Sequence, residues 1–340
     1  MKSFLAGLLA AVVLAGLAPA APAQTLEDVF GKVNATVVVV RSRGRDVGAG
    51  GVTRFKEIGS GFLISDSGRV MTAAHVVNAM DEITVEGVAG EVVRAKIVSS
   101  DAAADIALLQ LERVTAAMRV AKLGDSDKVR VGQLVMVVGA PYGLAHSMSV
   151  GYISARWPPD TIFRDMPLAE FFQTTATINT GNSGGPMFNM AGEVIGIVSQ
   201  NISKSGGSEG LGFVVTINTA KKILVERKVF WAALQGLLLT GDLAAIFNVP
   251  APAGFLVKTV AQGSMASNMG VNGGNRIVTI DGQSIALGGD IILSVADIPV
   301  VSEDNIEQIR NTLASAPVGA PFTMKVLRAG KVIELAGTAQ

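Results

Sequence analysis

The sequence predicts a mainly β protein: an antiparallel barrel or sandwich, followed by a smaller unit that mixes helix and strand. Three observations carry this expectation. From Thr36 to Ile217, runs rich in Val and Ile recur at roughly ten-residue intervals between glycines. At Asn218 to Lys228 the apolar spacing changes to that of a helix, with Ala220, Ile223 and Leu224 on one side. Beyond residue 230, strand-like runs alternate with helix-like ones.

The chain opens with "MKSFLAGLLAAVVLAGLAPAAPAQ": one lysine, an apolar run from Phe4 to Ala18, then the small-residue pattern Ala21-Pro22-Ala23. This layout is that of a secretory signal peptide over residues 1–23, with cleavage before Gln24. An uncleaved anchor is the alternative, but the run falls short of the roughly 20 residues a span needs. Removing its one lysine leaves 27 basic side chains against 28 acidic. No later segment is long and apolar enough to cross a membrane.

The β-rich runs follow: "TVVVVRS", "GSGFLIS", "GRVMTAA", "EITVEGV", "RAKIVSS", "IALLQLE", "LVMVVGA", "VGYISAR", "EVIGIVSQ" and "LGFVVTI". "SDSG", Ser65 to Gly68, reads as a hairpin turn between two of them. Asn218 is the expected cap of the helix that ends this unit. In the second unit "GFLVKTV" and "FTMKVLRAGKVIELAG" read as strands, and "TGDLAAIF" and "SMASNMGV" as short helices. "SEDNIEQIRNTLASA" reads as a helix capped by Ser302, with acids in its first turn and Ile306, Ile309 and Leu313 on one face. "NRIVTIDGQSI" and "DIILSVADIPV" are either a local quasi-repeat or include an inserted hairpin.

Composition narrows the chemistry. The 340 residues suffice for about two domains. Basic and acidic side chains balance at 28 each, so no charge footprint points to nucleic acid. There is no cysteine, which removes disulfides, thiolate metal sites and cysteine nucleophiles. No metal or other cofactor is implied, because the two histidines lack a carboxylate cluster at ligand spacing.

One stretch, "TINTGNSGGPMF" (Thr177 to Phe188), packs glycines and a proline around Ser183. Attack by a serine on an acyl carbon needs a base, a group that orients the base, and donors for the oxyanion. The base must be His75 or His146, the only histidines. His75 lies in "GRVMTAAHVVNAM", where small neighbours let an imidazole sit at a barrel edge; a buried structural histidine is the bland alternative. His146, in "PYGLAHSMSV", reads as a solvated loop residue. Asp105 sits between alanines and an apolar run, where a carboxylate is costly unless hydrogen-bonded. Asp101, in the more polar "SSDA", is expected to be exposed. The glycines flanking Ser183 allow backbone angles that aim the N–H groups of Gly181, Asn182 and Ser183 toward one side. Gly-x-Ser-x-Gly also matches the α/β-hydrolase elbow, but that fold places its histidine after the serine. The order His75, Asp105, Ser183 fits the chymotrypsin-type double β-barrel, as does the all-β reading.

"TAAHVV", "DIALLQL" and "GNSGGP", with "GSGFLIS", "LGFVVTI" and "VVGAPYGLAHSMSVGYISA", resemble the protease domain of the HtrA (Deg) serine proteases. The resemblance covers roughly residues 30–225. It implies a catalytic triad of His75, Asp105 and Ser183 and ATP-independent cleavage of unfolded or misfolded polypeptides. It also implies a homotrimer built on N-terminal contacts, or a higher homo-oligomer. It further implies a primary specificity pocket lined by Ile178, with Asn201 and Ile202 opposite. Thr175 stands where the family usually carries an acidic residue, so that loop is expected to be held differently. Asn182 stands where digestive relatives carry an aspartate that pairs with a freed amino terminus, so clipping is not the expected control.

"NVPAPAGFLVKTVAQGSMASNMGV" and "GGDIILSVADIPVVSEDNIEQI" resemble segments of the PDZ domain that follows in this family. The expected division is 24–228 for the protease domain and 229–340 for a PDZ-like domain that binds peptide C-termini. By the same resemblance the carboxylate loop is "FWAAL", with Trp231, Ala232, Ala233 and Leu234, and Ala233 in the usual place of glycine. Residues 275–289 exceed the family length and read as an inserted hairpin turning at Asp281-Gly282. Two other readings stay open: a peptide-binding protein or chaperone with a silent active site, and an anchored protease that senses stress.

Overall fold

The computed structural model describes residues 24–226, 233–280 and 282–339. The proposed signal segment, Trp231, Ala232 and Asp281 lie outside the described residues.

The chain enters through helix α1 (Leu26–Val33), which buries Val29 and Val33. Thr25 caps it: its hydroxyl accepts from Asp28 N–H, and the Asp28 carboxylate accepts from Thr25 N–H, both at 3.1 Å. Six strands then close a barrel in the order β1 (Val37–Gly48), β2 (Gly51–Leu63), β3 (Arg69–Thr72), β6 (Ile106–Leu111), β5 (Val92–Asp101) and β4 (Met80–Glu86). The unbroken "VVVV" of β1 is buried on both faces. Val38 and Val40 enter the barrel core with Leu109 and Val85. Val37 packs instead with Phe62 and Met71 against residues of the second barrel. A strand covered on both sides reads as a continuous apolar run rather than an alternating one.

The second barrel is a ring of β8 (Leu134–Gly139), β9 (Ser147–Trp157), β10 (Phe171–Thr174), β13 (Gly212–Thr216), β12 (Glu193–Asn201) and β11 (Pro186–Phe188). It closes where β11 pairs with both β8 and β12, and β7 (Lys122–Leu123) adds parallel to β12. Between the barrels, Phe163, Phe171 and Phe213 meet edge to face with centroids 5.1 to 6.3 Å apart. Each such contact contributes about 0.5–1.5 kcal/mol beyond area burial.

The expected helix after β13 forms, in altered shape. After the single turn α2 (Ala74–Val77) of the first barrel, the next helix is α3 (Ile217–Ala220), which widens to a π-helical stretch over Lys221–Glu226. Its cap is Thr216 rather than Asn218. Asn218 lies inside the first turn and is drawn off by Asp125, whose Oδ1 accepts from its amide at 2.8 Å.

The smaller unit is a sheet ordered β14 (Leu234–Thr240), β15 (Ala253–Val260), β18 (Ile291–Val295), β20 (Pro321–Arg328) and β21 (Lys331–Thr338), with β19 (Ile298–Pro299) paired to β18. Short helices α4 (Gly241–Ile246) and α5 (Met265–Asn268) form where expected. Helix α6 (Glu303–Ser315) is capped by Ser302 and packs Ile309 and Leu313 on the sheet with Val257 and Val326. β16 (Arg276–Ile280) and β17 (Gln283–Leu287) form a separate two-stranded hairpin apart from this sheet. Gly282 has φ +77°, the left-handed conformation a two-residue hairpin turn requires.

The two units touch at the far end of the β1–β2 hairpin. The Arg45 guanidinium binds Asp81 and donates to Val260 O at 3.2 Å, while Gln262 N–H donates to Asp81 Oδ1 at 2.8 Å. Lys258 pairs with Asp46 at 2.9 Å.

Candidate active site

β3 ends at Thr72, and two fully buried alanines lead into α2, the single turn that carries His75. Asp105 closes the turn between β5 and β6 with φ +51°, and its N–H donates to Ala102 O at 3.2 Å. The structure brings the two together. His75 Nδ1 lies 2.9 Å from both Asp105 carboxylate oxygens, and His75 N–H donates to Oδ1 at 3.0 Å. A further donor comes from the other barrel: the Ser199 hydroxyl, on β12, donates to Asp105 Oδ2. Asp105 is only 6 % exposed, and these donors are what make an ionised carboxylate tolerable there. Burial disfavours a charged His75, but the hydrogen bond and charge of Asp105, helped by Glu57, outweigh it. The His75 pKa therefore lies above its ordinary 6.5.

Ser183 follows a tight turn in which Asn182 N–H donates to Asn179 O at 3.0 Å. That bond corrects the expectation that three N–H groups face an oxyanion. Asn182 N–H is used inside the turn, whereas the N–H groups of Gly181 and Ser183 meet no acceptor among the described residues. Gly181 has φ +101°, and a Cβ there would run into Ala140 O, so only glycine fits. Gly184, φ +81°, presses equally closely on Ser60 O and Thr72 Oγ1.

Sequence reasoning missed the residue that fixes this turn. Ser60, on β2 and fully buried, donates through its hydroxyl to Gly181 O at 2.7 Å and accepts from Ala140 N–H at 2.9 Å. Its own N–H donates to Ser183 O at 2.7 Å. It lies in the quoted "GSGFLIS", but nothing local marks the serine as different from any hairpin polar residue.

The Ser183 hydroxyl donates to Ser199 O at 3.3 Å and makes no hydrogen bond with His75. Ser199 thus touches both sides of the site, through its hydroxyl to Asp105 and its carbonyl to Ser183. Chemically, the site holds an oriented imidazole with raised basicity, the Ser183 hydroxyl on the facing barrel, and two N–H groups without an acceptor among the described residues.

The structure also places the remaining residues singled out in the sequence. Ile178 is 2 % exposed and packs with Ile195, Val198 and Val214 in the second barrel's core. It fills space left by Gly212, where a Cβ would stand 2.5 Å from its Cδ1. Asn201 is tied by its amide to Gly207 O at 3.2 Å, and Ile202 is largely exposed. Thr175 holds its loop to β9, accepting from Tyr152 N–H at 2.9 Å and donating its N–H to Tyr152 O at 3.1 Å. Asp101 is buried, not exposed, because it pairs opposite Ile106 at the end of β5. His146 is half buried, with Nδ1 2.8 Å from Asn34 Oδ1, and burial lowers its pKa despite Asn34 and two glutamates. Ala233 has φ +57°, a glycine-like backbone at the place where glycine was expected. Its carbonyl accepts from Ala261 N–H at 2.9 Å, and Leu234 opens β14. Among the described residues no three His, Asp or Glu side chains cluster to hold a metal.

Comparison with known proteins bears on this geometry. Residues 59–197, which include His75, Asp105 and Ser183, match the trypsin-like peptidase domain. Over 265 residues the chain is 38 % identical to a "probable periplasmic serine endoprotease DegP-like" of Pseudomonas putida (strain GB-1), covering 75 % of this chain and 54 % of that one. A protein of the same name from Halomonas elongata is 37 % identical over 236 residues, covering 68 % and 49 %. The chain spans about half the length of these curated relatives. Among solved structures, an HtrA-type protease, AlgW with a tripeptide, aligns with TM-score 0.52 at 25 % identity over 92 % of this chain and 96 % of that one. AlgW with a decapeptide aligns with TM-score 0.53 at 24 % identity over 92 % and 98 %, a likeness of fold. With a chymotrypsin-type double barrel, a smaller α+β unit after it and these relatives, the chain belongs to the HtrA (Deg) family of trypsin-like serine proteases.

Proposed function

We propose that this protein is an ATP-independent serine endopeptidase that cuts unfolded polypeptides in the periplasm, with residues 24–228 as protease domain and 229–340 as a PDZ-like domain. One observation carries the reading: an Asp105–His75 pair on one barrel faces a nucleophile turn with two unused N–H groups on the other. In this mechanism Ser183 Oγ leaves Ser199 O, gives its proton to His75 Nε2 and attacks the peptide carbonyl. Asp105 holds Nδ1–H and balances the imidazolium charge. The N–H groups of Gly181 and Ser183 stabilise the oxyanion. His75 then protonates the leaving amine, and water releases the acyl group.

The base must be neutral, so activity rises as pH climbs through the His75 pKa. Because Asp105 raises that pKa, the acid limb of kcat/KM is expected to titrate above 6.5. Initial rates between pH 5 and 9 check this; a limb well below 6.5 contradicts the assigned base.

The PDZ-like reading rests on β14, which among the described residues is an edge strand paired with β15 alone, and such an edge suits addition of an extended peptide. By family resemblance the chain also assembles with copies of itself. A second reading, a peptide-binding protein with a silent site, is favoured by the resting Ser183 hydroxyl, which donates to Ser199 O. Digestion separates the two. The protease reading expects fragments from reduced, alkylated lactalbumin without nucleotide, and few from native lactalbumin. No cleavage of the unfolded form, at several temperatures and with C-terminal peptides added, leaves only the binding reading.

A further inference from the structure

The β1–β2 hairpin carries a stack of like charges that strand pairing does not explain. The register sets Arg43 opposite Lys56 and Arg45 opposite Arg54, so four cations share one face of the hairpin. Like charges directly opposite each other are destabilising. Nearby acids compensate the β1 side: Arg43 pairs with Glu82 at 3.3 Å and Arg45 with Asp81 at 2.8 Å. The side chains of Arg54 and Lys56 are exposed and make no ion pair or hydrogen bond among the described residues. The β2 side of the stack is thus left without counter-charges.

The space beside these cations is a groove. A depression of about 510 Å³ lies along Arg43, Arg54 and Lys56 and is bounded by Gln262 of the smaller unit. A second, of about 300 Å³, shares Arg43, Lys56 and Glu82 with the first and ends at Glu57 and Ile58. From there β2 continues to Ser60, whose N–H donates to Ser183 O at 2.7 Å. The groove therefore leads to the nucleophile.

Direction and distance follow from the same strand. His75 protonates the leaving amine, so the chain after the scissile bond departs on the His75 side. Glu57 alternates to the opposite face from Lys56 and Arg54 and acts through its charge on His75, which puts this stretch of β2 beside the base. Lys56 and Arg54 lie four and six positions before Ser60. At about 3.3 Å per residue they are about 13 and 20 Å along the strand. An extended substrate covers those distances in about four to six residues.

We propose that this groove selects substrates with an acidic segment at about the fourth to sixth residues after the scissile bond, with Arg54 and Lys56 as the specificity-determining residues. The proposal rests on the protease reading above and names its substrate class: unfolded polypeptides whose cleavage sites precede a run of Asp or Glu. The substrate carboxylates supply the counter-charges that β2 lacks.

The test uses the full chain and two internally quenched peptides. Both contain a bond that the protein cuts in unfolded lactalbumin, identified by mass spectrometry. One carries glutamate at the proposed positions, and the other carries glutamine. The glutamate peptide is expected to show kcat/KM about three- to tenfold higher, through KM, the range that two exposed ion contacts support. The gap should close at about 0.5 M NaCl, where screening is strong. Arg54→Gln combined with Lys56→Gln is expected to abolish the preference, and Arg54→Glu combined with Lys56→Glu to reverse it. Both double variants should melt close to the unmodified protein. Equal rates on the two peptides, or a preference that the double variants leave in place, overturns the proposal while the protease reading stands. Equal rates together with binding of the unmodified protein, but not of the glutamine double variant, to phosphatidylglycerol vesicles makes the groove a lipid site and overturns the substrate assignment. Failure to cut unfolded lactalbumin at all overturns the protease reading, and this proposal with it.

Discussion

Ser183→Ala is expected to lower kcat on an unfolded substrate by about 10⁴- to 10⁶-fold. Ser199, whose carbonyl accepts from Ser183, spends its own hydroxyl on Asp105 Oδ2. The substitution removes only the 3.3 Å bond to Ser199 O, a loss of about 1 kcal/mol or less. The variant should therefore melt close to the unmodified protein, so lost activity reports chemistry and not unfolding. Initial rates and a thermal melt on the same preparations check this. Substantial residual cleavage by the folded variant places the nucleophile elsewhere.

Asp105→Asn is expected to lower kcat by about 10⁴-fold, by a different route. The carboxylate accepts from His75 Nδ1, His75 N–H and the Ser199 hydroxyl. An amide offers one acceptor oxygen and presents its NH₂ to the remaining donors. The arrangement that relieves this conflict makes His75 Nδ1 an acceptor and moves the ring proton to Nε2, facing the nucleophile. The imidazole then no longer takes the Ser183 proton. The residual activity should also shift its acid limb to lower pH, because the Asp105 hydrogen bond and charge are what raise the His75 pKa against burial. The pH–rate profile of the variant tests both effects; a loss of less than about 100-fold with an unmoved limb gives Asp105 a merely structural role.

Much of the fold was legible because its strands are long and apolar. All ten Val- and Ile-rich runs fall on strands of the two barrels. The strands that escaped notice, β7, β10 and β11, span two to four residues, too short for periodicity to register. The triad candidates were legible for another reason. Chain order and local context narrowed two histidines to one, and the glycines around Ser183 reported a turn that only glycine can make.

What stayed hidden depends on residues far apart in the chain. Ser60 and Ser199 act through partners 121 and 94 positions away, and no local pattern separates them from other serines. Asp101 read as exposed from its polar neighbours, yet strand pairing buries it. Asn218 matched a cap by type, but Asp125 competes for its side chain. Ile178 packs against Gly212, a partner distant in the chain that no local pattern announces. The contact between the units depends on where the β1–β2 hairpin ends in space, and strand propensity says nothing about that.

The most direct measurement is fluorophosphonate labelling followed by mass spectrometry of the modified peptide. The probe reacts only where nucleophile, base and oxyanion donors act together. The account predicts a single adduct on Ser183, lost in Asp105→Asn and slowed below the His75 pKa. No adduct under conditions where the protein is folded, with or without a C-terminal peptide, or an adduct on a different serine, contradicts it.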